Sequence, residues 1–188
     1  RAVELNEDIF LVAQKHDSMP NPAPKDIYRV GTVARIKQVL KMPNDATRVL
    51  VTGIRRMEID SYVSILPAFE VTLKEFETES SDESMMEAVC RVVGEQLTAY
   101  KKLDRSYNDM IVSPVGSDKF IAEVSQSIYK TVEQRQALLQ LKSDYAMMED
   151  IYARLVAECD MKTLEKKIAG KVRANIDKSQ HEYYVREQ

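Results

Sequence analysis

Apolar and polar positions follow two different periods along this chain, and the change falls near residue 78. Before it, short apolar runs with period-two alternation predict strands. Residues 9–13 (Ile-Phe-Leu-Val-Ala) have the length of a buried strand. Residues 28–42 resume with Val30, Thr32, Ala34, Ile36 and Val39, and the imperfect alternation predicts a bulge or bend near Gly31 or Lys37. In residues 47–52, Val49 and Val51 take one face and Leu50 the other, until Gly53 interrupts. Met57, Ile59 and Ser61 alternate with Glu58, Asp60 and Tyr62, which predicts a strand with one wet face. Pro67 breaks that pattern, and residues 69–73 alternate again. Pro20, Pro22 and Pro24 exclude helix from their loop, and residues 43–46 (Pro-Asn-Asp-Ala) form a turn by composition. Short strands punctuated this way predict a small antiparallel sheet or barrel over residues 1–78.

After residue 78 the period becomes helical. Ser80 with Glu83, and Ser84 with Glu87, are candidate capping boxes ahead of Met85, Val89, Val92, Val93, Tyr100 and Leu103. Asp118 is placed to cap a second helix carrying Phe120, Ile121, Val124 and Ile128. Thr131 with Gln134 can cap a third, short one, and these segments make up a helical subdomain over residues 79–143. A last helix is predicted over 144–188, where there is no proline and a single glycine, Gly170. Unbroken, it is roughly 65 Å long at 1.5 Å per residue. A domain of this size cannot cover that length. The second half must project, with an apolar stripe in need of a partner. The fold class is therefore α+β: a small sheet, a helical bundle and one long projecting helix.

Composition narrows the function classes. With 44% hydrophobic residues in 188, the chain can bury a core, and disorder throughout is excluded. No apolar run approaches the roughly 20 residues of a membrane span, so no membrane partner is expected. The net charge of −3 gives no global basic bias toward nucleic acid. Two cysteines make no disulfide framework, which fits a cytosolic redox setting. The chain opens on Arg1 and ends inside a polar helical pattern without a visible signal peptide, so it is expected to be a piece of a longer protein.

Catalytic and cofactor signatures are missing from the pattern. Neither a G-x-x-x-x-G-K-[ST] loop nor a G-x-G-x-x-G fingerprint occurs. His16-Asp17-Ser18 has the letters of a triad, but consecutive side chains cannot converge in that geometry, so a loop tip is expected. His181 beside Glu182 points away from it on a helix and reads as a solvated residue. Cys90 and Cys159 fall on apolar helix faces, as small buried hydrophobes do. No catalytic, metal or cofactor residue is assigned, and the fragment is not expected to be an enzyme.

Two features carry functional expectations. Met19, Pro20 and Pro22 in the loop of residues 19–24, with Met42, Pro43 and the run Leu66-Pro67-Ala68-Phe69, put apolar and proline residues at strand ends, where a shallow patch for extended polypeptide would form. Ile168, Val172, Ile176 and Tyr183, with Tyr184 adjoining, are the expected pairing stripe of the long helix. The pairs Arg55-Arg56 and Lys166-Lys167 read as solvated surface.

The order and spacing of residues 9–15 (IFLVAQK), 28–34 (YRVGTVA) and 49–56 (VLVTGIRR) resemble the N-terminal domain of the Lon family of ATP-dependent proteases. The ending is more specific: LEKKI at 164–168, Val172-Arg173, and KSQHEYYVREQ at 178–188 resemble that family's linker helix ahead of its ATPase module. The resemblance implies a PUA-like β-barrel, a helical bundle and a long helix, with a role in capturing unfolded or tagged substrates and organising a hexamer. It implies ATP, magnesium and a serine–lysine dyad for the full-length protein, none of which maps onto a residue here, and a bacterial cytoplasmic location rather than the mitochondrial matrix. It also implies an opening strand ahead of Arg1. The competing expectation is a nucleic-acid-binding module, since PUA-like barrels elsewhere bind RNA. That reading needs Arg29, Arg35, Lys37, Arg48, Arg55 and Arg56 to cluster with stacking aromatics.

Overall fold

The computed structural model describes residues 7–16, 20–43, 46–104 and 113–186, with side chains to residue 179. The chain divides into two compact units, one of residues 1–79 and 131–142, the other of residues 80–130 and 143–188.

The first unit is built on an antiparallel sheet in the order β1 (Ile9–Leu11), β2 (Val30–Lys41), β3 (Thr47–Ser64) and β4 (Glu70–Glu75). The apolar run at residues 9–13, expected to be a buried strand, is instead a three-residue edge strand, half-buried to exposed. The irregularity expected in β2 is found at Lys37, skipped between Ile36 and Gln38. A second lies in β3, where Ile54 is left unpaired between Gly53 and Arg55. Gly53 does not end a strand. It pairs with Ala34, and β3 runs on as one strand of 18 residues. The ladder is continuous across it, and the bulge at Ile54 shifts the alternation, so that the buried Met57 and Ile59 lie on the opposite face of the strand from Val49 and Val51.

The core of this unit is Ile27, Val30, Ala34, Met57, Ile59 and Leu138. Leu138 belongs to α3 (Val132–Leu139), which the sequence pattern groups with the other helices but whose contacts lie with the sheet. Thr131 and Gln134 form the expected capping box at its start. Two polar side chains hold it. The buried Gln136 donates from Nε2 to the Val30 carbonyl at 2.9 Å. Arg56 donates to the carbonyls of Leu139 and Leu141 at 3.2 and 2.7 Å and lies 5.1 Å from the Phe76 ring centroid. Arg56 is thus not the solvated half of a basic pair. It satisfies carbonyls left over at a helix C-terminus, where the macrodipole also favours a cation.

Gly31 is required by close approach. A Cβ there would sit 2.3 Å from the Leu11 carbonyl oxygen and 2.7 Å from Cζ of Phe10. The change Gly31→Ala is expected to push β1 off β2 and to cost about 1–3 kcal/mol. An unshifted urea midpoint for that variant would show that β1 is not docked this tightly.

The second unit contains α1 (Glu83–Leu103), α2 (Asp118–Ile128) and α4 (Asp144–Arg186). The caps differ from expectation by a residue or two: Asp82 accepts from the Met85 amide, and Ser117 from the Phe120 amide. Helices α1 and α4 run parallel. The Tyr145 amide donates to Ser81 at one end, and at the other Lys162 donates to Asp104 and Lys166 to the Leu103 carbonyl. Their shared core is Val89, Val93, Leu97 and Tyr100 against Met148, Ile151, Leu155 and Cys159, with Phe120, Val124 and Ile128 of α2 also buried. The Tyr129 hydroxyl donates to Asp150 at 2.6 Å, and this bond, together with burial as the larger cause, pushes its pKa well above the phenol range.

Candidate functional site

In the first unit, side chains converge at the end of the sheet where β3 turns into β4. The Tyr62 and Phe69 rings meet edge to face, 5.9 Å between centroids at 66°. The Tyr62 hydroxyl donates to the carbonyl of Pro24 at 3.3 Å, which ties the proline loop to the same end. Pro22 is half-buried there and Pro20 exposed. Around them Val63 is 67% and Leu66 79% exposed, with Ile65 also open. Val63 is the residue skipped between Tyr62 and Ser64 in the β3–β4 register, which turns it outward. Val63, Ile65 and Leu66 are the larger apolar surface at this end; the sequence pattern points to Leu66 as part of residues 66–69, but not to Val63 or Ile65. The signal available was the i, i+2 spacing of Val63 and Ile65 across the expected end of a strand.

Met42 and Pro43 do not join that cluster. They lie in the β2–β3 turn, at the opposite end of β3 from Phe69, with Met42 donating its amide to the Ala46 carbonyl at 2.8 Å. The strand between the two ends has a contour of roughly 55 Å at 3.3 Å per residue. The sequence pattern could see that each segment was a strand end. It could not say which ends coincide, because that is set by the register. Met19 lies outside the described residues.

Most of the arginines weighed for nucleic acid are engaged within the unit. Arg29 donates to the Ile59 and Asp60 carbonyls, Arg35 holds Asp8 through two bonds of 2.8 and 3.1 Å, and Arg56 serves α3. The Arg35 hydrogen bonds keep the Asp8 carboxyl below its ordinary range.

In the second unit, α4 changes character along its length. Met148, Ile151 and Leu155 are fully buried, whereas Leu164, Ile168, Val172 and Ile176 are each half exposed, at 51–53%. Gly170 lies among them with nothing within 4 Å of where a Cβ would stand. Tyr183 falls within the helix, as does Tyr184, and their side chains are outside the described residues, as is that of His181. Burial pushes the thiols of Cys90 and Cys159 above their ordinary pKa, which keeps them protonated at neutral pH. Among the described residues no cluster of His, Cys, Asp or Glu is arranged to hold a metal ion, and no helix is long and apolar enough to cross a membrane.

Residues 1–158 match the family model described as the ATP-dependent protease La (LON) substrate-binding domain. The chain is 35% identical over 193 residues to the Lon protease of Clostridium acetobutylicum, an alignment that takes in 100% of this chain and 25% of that protein. It is 30% identical over 191 residues to the Lon protease of Escherichia coli, taking in 100% of this chain and 24% of that one. It thus spans about a quarter of the length of these relatives. Among solved structures, the N-terminal domain of the Mycobacterium avium complex Lon protease superposes with a TM-score of 0.56, covering 79% of this chain and 90% of that one. At 14% identity that likeness establishes the α+β fold.

Proposed function

Because this chain belongs to the Lon family of ATP-dependent proteases, as its N-terminal substrate-binding domain, we propose that it captures unfolded or tagged polypeptide on exposed apolar surface and organises a hexamer through its long helix. The observation that carries the first half is the exposure of Val63, Ile65 and Leu66 beside the Tyr62–Phe69 pair. Unfolded chains have little in common except exposed apolar segments. A shallow apolar surface suits them better than a shaped pocket. Each such contact is weak, and presenting several copies on one ring raises the effective concentration of the next contact.

The second half rests on the half-exposed Leu164, Ile168, Val172 and Ile176. On this reading the full-length protein is an ATP- and magnesium-dependent serine endopeptidase of the bacterial cytoplasm with a serine–lysine dyad. No residue of this chain is assigned to that chemistry.

Capture is tested by replacing Ile65, Leu66 and Phe69 with asparagine in the full-length protein and titrating a labelled, permanently unfolded polypeptide. Removing this much apolar contact is expected to weaken binding by about tenfold, with circular dichroism unchanged. Unaltered affinity in a folded variant would remove this end of the sheet as the site.

A further inference from the structure

The outer part of the β2–β3 hairpin carries a second feature that substrate capture by apolar surface does not use. From Arg35 and Thr52 outward the sheet is only two strands wide. Strand β1 pairs with β2 as far as Ala34, and β4 reaches back along β3 only to Met57. Both margins of this ribbon, among the described residues, therefore present unpaired backbone N–H and C=O groups.

One face of the ribbon is aliphatic. Ile36 stands opposite Val51 and Val39 opposite Val49, continuing outward the row that begins with the buried Ala34. The bulge at Lys37 keeps this row intact, because without it Gln38 would take the place of Val39. Exposure rises along the row, from 1% at Ala34 to 42% at Val49.

The ribbon is also basic in an acidic chain. Residues 30–57 hold six Lys or Arg and one acidic residue, Asp45, whereas the whole chain carries −3. Arg35 is committed to Asp8, which Arg55 also approaches, and Arg56 to α3. Lys37, Lys41 and Arg48 have no carboxylate partner among the described residues. Residues 35–52 contain no Phe, Tyr or Trp, so the ribbon lacks the stacking platforms that a single-stranded nucleic acid needs.

We propose that this ribbon binds extended polypeptide segments in which aliphatic residues alternate with acidic ones. Such a segment adds to an open margin as a further strand. Its aliphatic side chains extend the Ile36–Val49 row, and its carboxylates, on the other face, meet Arg48, with Lys37 at the bulge and Lys41 at the outer end of the row adding positive charge along the ribbon. The inference rests on the substrate-capture reading and names a substrate class for it.

The experiment uses the full-length protein and two labelled peptides of about ten residues, one alternating Val with Glu and the other Val with Lys. Fluorescence anisotropy is expected to show the Glu peptide bound about tenfold more tightly, an advantage that shrinks as salt rises. The triple reversal K37E/K41E/R48E is expected to invert the order, and V39N/V49N to weaken both peptides. Should the reversal not fold, the neutral K37Q/K41Q/R48Q is expected to abolish the preference. Equal affinities for the two peptides, or a preference untouched by either triple variant, overturn the proposal. So does a single-stranded oligonucleotide that displaces the Glu peptide and binds more tightly. If an unfolded protein still binds while the two peptides do not differ, this inference fails and the capture reading stands. If neither binds, both fail.

Discussion

Replacing Ile168, Val172 and Ile176 together with serine in the full-length protein is expected to leave the second unit folded and to weaken the self-association proposed for its long helix. These side chains contribute nothing to the core, since each is half exposed on the part of α4 beyond the packed segment. Covering the remaining half of each is worth roughly 1 kcal/mol, so three positions amount to about 3 kcal/mol per helix, or about a hundredfold in an association constant. Light scattering reads the size of the assembly, and degradation of an unfolded protein reads its consequence. A variant of unchanged size and unchanged degradation rate would falsify the pairing role of the stripe.

The spacing of the stripe also fixes how a partner would meet it. Leu164, Ile168, Val172 and Ile176 follow one another at intervals of four residues. A step of four overshoots the 3.6-residue turn by about 40°, so the row winds around the helix instead of keeping to one side. A left-handed coiled coil needs a mean step of 3.5. A row of i, i+4 ridges packs instead into the like grooves of a second helix, with axes crossing near −50°. Self-association through this row is therefore expected as a crossing of helices over a few turns.

The change Leu155→Ala, nine residues before the stripe begins, is expected to act in the opposite way. Leu155 is fully buried opposite the inward face of α1. Removing its isobutyl group is expected to cost about 2–5 kcal/mol, according to how far the site collapses. The urea midpoint of unfolding reads this directly, while Leu164→Ala on the same helix is expected to stay within about 0.5 kcal/mol. Equal effects at the two positions would mean that α4 does not divide into a packed half and a projecting half. The unequal effects expected of two leucines in one helix, with one local pattern, come only from what covers them.

That contrast marks how far the sequence could be read. The long helix was legible because forty-odd residues without proline and with helical apolar spacing have one economical conformation. Its division was legible as well, because no other part of the chain is large enough to cover the far half. The capping box of Thr131 and Gln134 was legible because it is local, four residues carrying both partners. The continuity of β3 through Gly53 was not. Read locally, a glycine interrupts a strand, and only its pairing with Ala34 across the hairpin overrides that preference. The place of α3 was hidden for a related reason. Its eight residues carry a weak apolar pattern, and what holds it is Gln136 bonded to Val30 and Arg56 bonded back to Leu139 and Leu141, separated by 83 to 106 positions.

The candidate site divides along the same line. Sequence alone determined that prolines and apolar residues would gather at strand ends, that the chain lacks phosphate-binding and catalytic signatures, and that a stripe on the last helix would stand uncovered. These follow from composition and from periods of two and 3.6, which need no knowledge of what lies across the fold. Tertiary structure decided which strand ends coincide. The loop at residues 20–24 and the turn before Phe69 share one end of the sheet, and Met42 with Pro43 occupies the other. It decided too that Arg56 is spent on a helix terminus while Lys37 and Arg48 meet no carboxylate among the described residues. Both outcomes depend on strand register and on hydrogen bonds between distant residues, and a bulge of a single residue is enough to change them.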